Sequence, residues 1–124
     1  MRKIILTLCA VFLTALGYTQ GTETFTNISN ATGDGNGNSN SYQGWTWTGD
    51  NGETWSATDA RIDQKINDEA ILVRDGELTT TILGGIGNLT LTTQRIFGGG
   101  SGVLTVTVDG SVVGTIPYSD TVQT

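Results

Sequence analysis

Apolar and polar residues alternate along most of the chain with the period of two that is typical of half-buried β-strands. In residues 43–48 this alternation places Trp45 and Trp47 on the same face of one predicted strand. Downstream of the N-terminal segment, no window carries the i, i+3, i+4, i+7 apolar stripe of an amphipathic helix. The pattern therefore predicts an all-β chain.

The clearest predicted hairpin joins residues 103–108 to residues 111–116 through the turn Asp109-Gly110. Asp-Gly between two alternating segments is a strong hairpin signal, because both residues accept the positive φ of a tight turn. Three apolar side chains are expected on one face: Leu104, Val106 and Val108. A shift of the pairing by one residue would expose all three.

Six further segments have strand character, separated by turn residues and by a loop rich in Asn, Gly and Ser at residues 29–41. The six are residues 22–28, 53–57, 61–66, 70–73, 77–83 and 88–92. Short strands with a turn signal roughly every 8 to 12 residues predict an antiparallel β-sandwich. Because the pattern breaks off after residue 116, we expect the chain to be a fragment that folds poorly and associates when isolated.

The N-terminal segment reads as a secretory signal peptide rather than as part of the domain. Arg2 and Lys3 precede an apolar run, residues 4–16, which is shorter than the roughly 20 residues needed to span a bilayer. Cleavage after Gly17 and cleavage after Thr19 both fit, and a buried N-terminal helix is the alternative to a signal. We expect a signal peptide at residues 1–19, a β-sandwich module at residues 20–124, no membrane span after cleavage, and a location outside the cell or on its surface.

Composition narrows the chemistry that this chain can perform. It contains no histidine, and its single cysteine, Cys9, lies in the predicted signal. Catalysis by Ser-His-Asp or Cys-His sets is therefore excluded within the mature chain, as are zinc sites built from His or Cys. We expect no enzyme activity from these residues.

The net charge limits the classes of molecule that this chain is expected to bind. The chain has 6 basic and 12 acidic residues, a net charge of −6. Removing Arg2 and Lys3 with the signal leaves a mature net charge of −8. Such a field repels polyanions, and the remaining basic residues are scattered, so we expect no binding to nucleic acid.

Five blocks in order resemble the jelly-roll module of exported Bacteroidetes proteins. They are ETF at 23–25, NGETW at 51–55, DARID at 59–63, INDEAILVRDGELTTTILGGIGNLTL at 66–91 and VTVDGSVVGTI at 106–116. The resemblance implies a jelly-roll β-sandwich that lacks its closing strands. Such modules are often attached to secreted endonucleases or other hydrolases, which implies that any catalytic domain lies outside this chain.

Aromatic residues make the first candidate site. Trp45 and Trp47, with Tyr42, could form a platform on which sugar rings stack, because aromatic faces match the apolar faces of pyranoses. Core packing is the alternative, and for Trp55 it is the favoured one.

Oxygen-bearing side chains make a second candidate site, for Ca²⁺. Asp34, Asn36 and Asn38 occupy alternate positions, as calcium ligands do, but the spacing fails the EF-hand pattern. The resemblance adds Glu23, since similar modules bind Ca²⁺ near their first strand. A flexible, solvated loop is the alternative interpretation.

Four charged residues alternate along residues 59–65: Asp59, Arg61, Asp63 and Lys65. They could bind a charged ligand, although such a row is more often a solvated face with weak ion pairs.

Three hypotheses about function follow. The first is an exported, non-catalytic accessory module that binds extracellular polysaccharide. The second is the N-terminal piece of a secreted endonuclease or other hydrolase whose catalytic domain lies elsewhere. The third is a structural spacer or adhesin-like module at the cell surface.

Overall fold

A computed structural model describes residues 21–98 and 100–124, so the predicted signal peptide lies outside the described residues. The prediction of an all-β chain is confirmed: the described residues form two antiparallel sheets and one short 3-10 helix, Thr26–Asn30. Within these ranges no helix has the length and apolar character needed to cross a bilayer. The strands are β1 (Thr32–Gly33), β2 (Gln43–Thr48), β3 (Thr54–Ile66), β4 (Asp68–Val73), β5 (Leu78–Thr80), β6 (Gly102–Val108) and β7 (Ser111–Tyr118).

The larger sheet is built around β3. Its order is β1-β2-β3-β4, and β5 also pairs with β3. The first part of β3 pairs with β2 and β5, and the second part pairs mainly with β4. The two strands predicted at residues 53–57 and 61–66 are therefore one strand, which is interrupted only by Asp59, with a φ of 45°, and by a register shift after Arg61.

The smaller sheet is the hairpin of β6 and β7, as predicted. Asp109 and Gly110 have φ values of 49° and 78°, which is the left-handed geometry of a type I′ turn. Leu104 pairs with Ile116, and Val108 pairs with Ser111 beside the turn. Several of its apolar side chains face solvent, including Val112 at 68% and Val113 at 62% exposure.

Two predicted strands are wrong. Residues 22–28 do not form a strand: the backbone turns at Phe25, with a φ of 59°, and enters the 3-10 helix. The Glu23 side chain stabilises that turn, since it accepts hydrogen bonds from the backbone N–H groups of Phe25 and Asp50. Residues 88–92 are likewise not a strand, and an isolated bridge between Thr93 and Gln123 follows them.

The core lies on one face of the larger sheet. Six buried side chains form it: Ile28, Trp45, Trp47, Ala57, Ala60 and Ile62. Trp47 stacks on Trp55 with ring centroids 6.2 Å apart and an interplanar angle of 10°. The Trp45 indole N–H donates to the carbonyl oxygen of Ala60 at 3.0 Å, which satisfies a polar group that burial would otherwise leave unpaired.

Candidate ligand-binding surface

Tyr42 reaches the surface at the end of an ordered loop between β1 and β2. In this loop the Asn36 side chain accepts from the Asn38 backbone N–H at 2.9 Å and donates to Ser41 Oγ at 3.2 Å. The carbonyl oxygen of Ser39 accepts from the backbone N–H of Ile62 at 3.0 Å, which ties the loop to β3. The flexible, solvated loop offered as one interpretation is thus held by hydrogen bonds, and it sets Tyr42 beside two arginines.

The first arginine, Arg61, is paired with Asp63. The two residues are two positions apart in β3, so their side chains point to the same side of the strand. Arg61 Nε donates to Asp63 Oδ1 at 3.0 Å and Nη2 donates to Oδ2 at 2.6 Å. Both side chains are partly buried. This two-bond geometry fixes the guanidinium plane as well as its position.

The second arginine, Arg74, is paired with Asp59 across two strands. Val73 lies opposite Ala60 in the ladder of β3 and β4, so Arg74 comes next to Asp59. Arg74 Nε donates to Asp59 Oδ2 at 3.0 Å and Nη2 donates to Oδ1 at 2.6 Å. The backbone N–H of Asp75 also donates to Asp59 Oδ2 at 3.0 Å. Asp59 therefore joins the end of β4 to the bend in β3.

Two aromatic rings complete the arrangement, which we call the arginine–aromatic surface (Tyr42, Arg61, Arg74, Phe97 and the carboxylates of Asp59 and Asp63). The Arg74 guanidinium carbon lies 4.1 Å from the centroid of the Tyr42 ring. The Arg61 guanidinium carbon lies 5.5 Å from the Tyr42 centroid and 5.3 Å from that of Phe97. These distances fall within the range of cation–π attraction. Phe97 is 54% exposed, so much of its ring faces solvent.

The ion pairs keep both carboxyl groups charged. Hydrogen bonds from Arg74, and then from the Asp75 N–H, lower the pKa of Asp59 below its ordinary value. Hydrogen bonding from Arg61 lowers the pKa of Asp63 in the same way. Both groups therefore act as hydrogen-bond acceptors at neutral pH rather than as proton donors. Each pair uses Nε and Nη2 of its arginine, which leaves Nη1 outside the two-bond contact.

The structure separates the three aromatic candidates. Trp45 and Trp47 are each 3% exposed and belong to the core, so neither ring offers an open face for stacking a sugar. Tyr42 is half-buried and lies in the arginine–aromatic surface. Of the three, Tyr42 alone is placed where a ligand could reach it.

Sequence reasoning missed Arg74 and Phe97. The alternating charges at residues 59–65 included Arg61, Asp59 and Asp63. Arg74 lies outside that segment, so the alternation did not predict its ion pair with Asp59. The available signal was Asn67, a residue that tolerates positive φ, between two apolar segments: a tight reversal there pairs Ile66 with Asp68, lays β4 beside β3 and brings Arg74 near Asp59. Phe97 carried no comparable signal, because it lies in a segment outside both sheets.

Three of the four candidate calcium ligands use their side-chain oxygens in hydrogen bonds. Both carboxylate oxygens of Glu23 accept backbone N–H groups at 2.9 Å, and Asp34 Oδ1 accepts the N–H of Gly44 at 2.8 Å. The side-chain oxygen of Asn36 accepts the backbone N–H of Asn38 within the loop. Within residues 21–98 and 100–124, no three acidic, histidine or cysteine side chains come together as a metal site. Calcium binding at Glu23, Asp34, Asn36 and Asn38 stays a prediction.

No family model, curated protein or solved structure matches the chain. The arginine–aromatic surface is the place where charged, planar and aromatic groups of the described chain converge.

Proposed function

We propose that the chain is an exported, non-catalytic module of the jelly-roll type that binds extracellular polysaccharide through the arginine–aromatic surface. The observation that carries this proposal is the position of Tyr42 and Phe97 against two guanidinium groups, each fixed by an aspartate. The two antiparallel sheets support the β-sandwich part of the proposal.

Sugar recognition needs an apolar face and rigid polar groups next to it. The exposed ring of Phe97 supplies apolar area at small cost in conformational entropy, as aromatic side chains do at binding surfaces. The paired arginines and aspartates present donors and acceptors whose directions are set before a ligand arrives. Preorganisation of this kind raises affinity, because less side-chain freedom is lost on binding.

The location of the surface also supports a role in binding. The middle of the central strand β3 holds its two aspartates and Arg61, while the loop before β2, the end of β4 and the segment around Phe97 bring the other side chains to them. Binding residues are commonly held on loops positioned by a rigid sheet. The two buried tryptophans of β2 pack in the core of this sheet and supply that rigidity.

The test is a glycan array probed with the full secreted chain, followed by calorimetry on the best ligand. We expect Phe97→Ala and Tyr42→Ala each to weaken binding at least tenfold, the effect of losing roughly 1.4 kcal/mol or more. Leu83→Ala is the matched control, because Leu83 is 89% exposed and belongs to no part of the surface. Absence of any glycan signal, with the fold intact by circular dichroism, would overturn the proposal and favour the structural spacer.

A further inference from the structure

We infer that the arginine–aromatic surface selects neutral, hydroxyl-rich glycans and rejects uronic-acid or sulfated ones. This inference rests on the proposed function, and it names the substrate class of the same surface. It follows from how the two guanidinium groups are already engaged and from the charge that surrounds them.

An arginine recognises a carboxylate or sulfate best with two parallel N–H groups. In both arginines of this surface, Nε and Nη2 are bound to an aspartate, at 3.0 and 2.6 Å in each pair. The end-on edge of each guanidinium, formed by Nη1 and the second N–H of Nη2, lies outside these contacts, but an anionic sugar bound there would sit beside Asp63 or Asp59, whose negative charge already balances the arginine. Displacement of either aspartate would instead leave an unpaired carboxylate beside a second negative charge, so both ways of binding an anion are unfavourable.

The negative charge around this surface also disfavours binding of anionic glycans. The two arginines are balanced by Asp59 and Asp63, and the adjacent Asp75 adds a further acidic residue. The chain as a whole has a net charge of −6. An acidic polysaccharide therefore approaches a neutral-to-negative surface on a negative protein and gains no long-range attraction.

Sugar hydroxyl groups fit the same groups well. A hydroxyl both donates and accepts, so one hydroxyl can donate to an aspartate oxygen while a neighbouring one accepts from arginine Nη1. The two ion pairs set such donors and acceptors side by side around Tyr42. Phe97 is placed beside Arg61 to contact the C–H face of a ring.

The experiment compares matched ligands with the full secreted chain. The probes are soluble neutral β-glucan, mannan and arabinoxylan, each beside the same polymer after oxidation of primary hydroxyls to carboxylates, together with a sulfated glucan. We expect at least one neutral polymer to bind, its oxidised form to bind at least tenfold more weakly, and the affinity for the neutral polymer to change less than twofold between 50 and 500 mM NaCl. Preference for an oxidised or sulfated polymer, with affinity that falls as salt rises, would overturn the inference and leave the proposed function standing. Binding to none of the polymers would overturn the proposed function itself.

A charge-neutralising variant gives a second, independent readout. Asp59→Asn with Asp63→Asn frees both guanidinium groups, so we expect neutral-glycan binding to fall and binding to the sulfated glucan to rise at least tenfold. Asp109→Asn removes one negative charge at the hairpin turn and is the matched control, since asparagine also accepts a positive φ. If the double variant gained no affinity for the sulfated glucan while remaining folded, the engaged arginines would not be the cause of the selectivity.

Discussion

Arg74 and Asp59 are 15 positions apart in the chain, yet Arg74 binds Asp59 with Nε 3.0 Å from Oδ2 and Nη2 2.6 Å from Oδ1. The contact joins the end of β4 to the bend in β3, where Asp59 has a φ of 45°. It also holds the Arg74 guanidinium over Tyr42. One ion pair thus links the path of the backbone to the geometry of the arginine–aromatic surface.

The ion pairs of Asp59 with Arg74 and of Asp63 with Arg61 predict how the stability of the fold depends on pH. Asp59 and Asp63 have folded-state pKa values below their ordinary value of 3.8, so their contribution is complete above about pH 4 and is lost as the pH falls through the lower folded-state values. We expect the urea midpoint to be flat from pH 7 to 5 and to fall below pH 4. Asp59→Asn should reduce that fall, and Leu83→Ala, which changes no charge, should leave it unchanged. A midpoint that rises on acidification would contradict the assignment.

The stacked tryptophans predict a large loss of stability on truncation. Trp47 is 3% exposed and contacts Trp55 and Phe25, with ring centroids 6.2 and 6.1 Å away. We expect Trp47→Ala to lower the free energy of unfolding by about 3–5 kcal/mol, the usual cost of removing a buried aromatic side chain. Chemical denaturation followed by circular dichroism measures it. Leu83→Ala, at an exposed position, should change stability by less than about 0.5 kcal/mol, and equal effects of the two would show that Trp47 is not core.

Adding a side chain at Gly76 is expected to disturb both the fold and the arginine–aromatic surface. A Cβ atom at Gly76 would collide with the backbone carbonyl of Thr58, which lies next to Asp59. We expect Gly76→Ala to destabilise the protein by roughly 1–3 kcal/mol, as overpacking does, and to weaken glycan binding by shifting Arg74. Thermal unfolding and calorimetry test the two effects. Gly87→Ala is the control, because a Cβ there would have no heavy atom within 4 Å, and an equal loss in both variants would refute the steric explanation.

The exposed valines of the hairpin predict self-association. A two-stranded hairpin has open edges, and Val112 and Val113 are 68% and 62% exposed on β7. We expect the chain to show concentration-dependent association in analytical ultracentrifugation. Val112→Lys with Val113→Lys should reduce the associated fraction several-fold, whereas Leu83→Lys, away from the hairpin, should not. A sample that stays monomeric at high micromolar concentration would contradict this prediction.

Local patterns in the sequence determined the β-strand character of the chain and its tightest turn. The period of two placed Trp45 and Trp47 on the same buried face, and Asp109-Gly110 supplied the positive φ values that a type I′ hairpin requires. These features depend only on residues that are close in the sequence, so they can be predicted without knowing the fold. The pairing of β6 with β7 was predicted from the sequence because the two strands are joined by a two-residue turn.

The tertiary structure decided which strands of the larger sheet are neighbours and which charges meet. The continuity of β3 depends on its pairing with β4 and β5, and the contact of Arg74 with Asp59 joins residues 15 positions apart. The 3-10 helix in place of a first strand is held to the rest of the chain by the hydrogen bonds of Glu23 and Asn27 with Asp50. Phe97 reaches Arg61 in the same way, through the path of a segment that has no regular structure. Contacts between distant residues lower the free energy through pairs that no short window contains, and so the complete candidate surface, with Phe97 beside Arg61, could be recognised only in the folded chain.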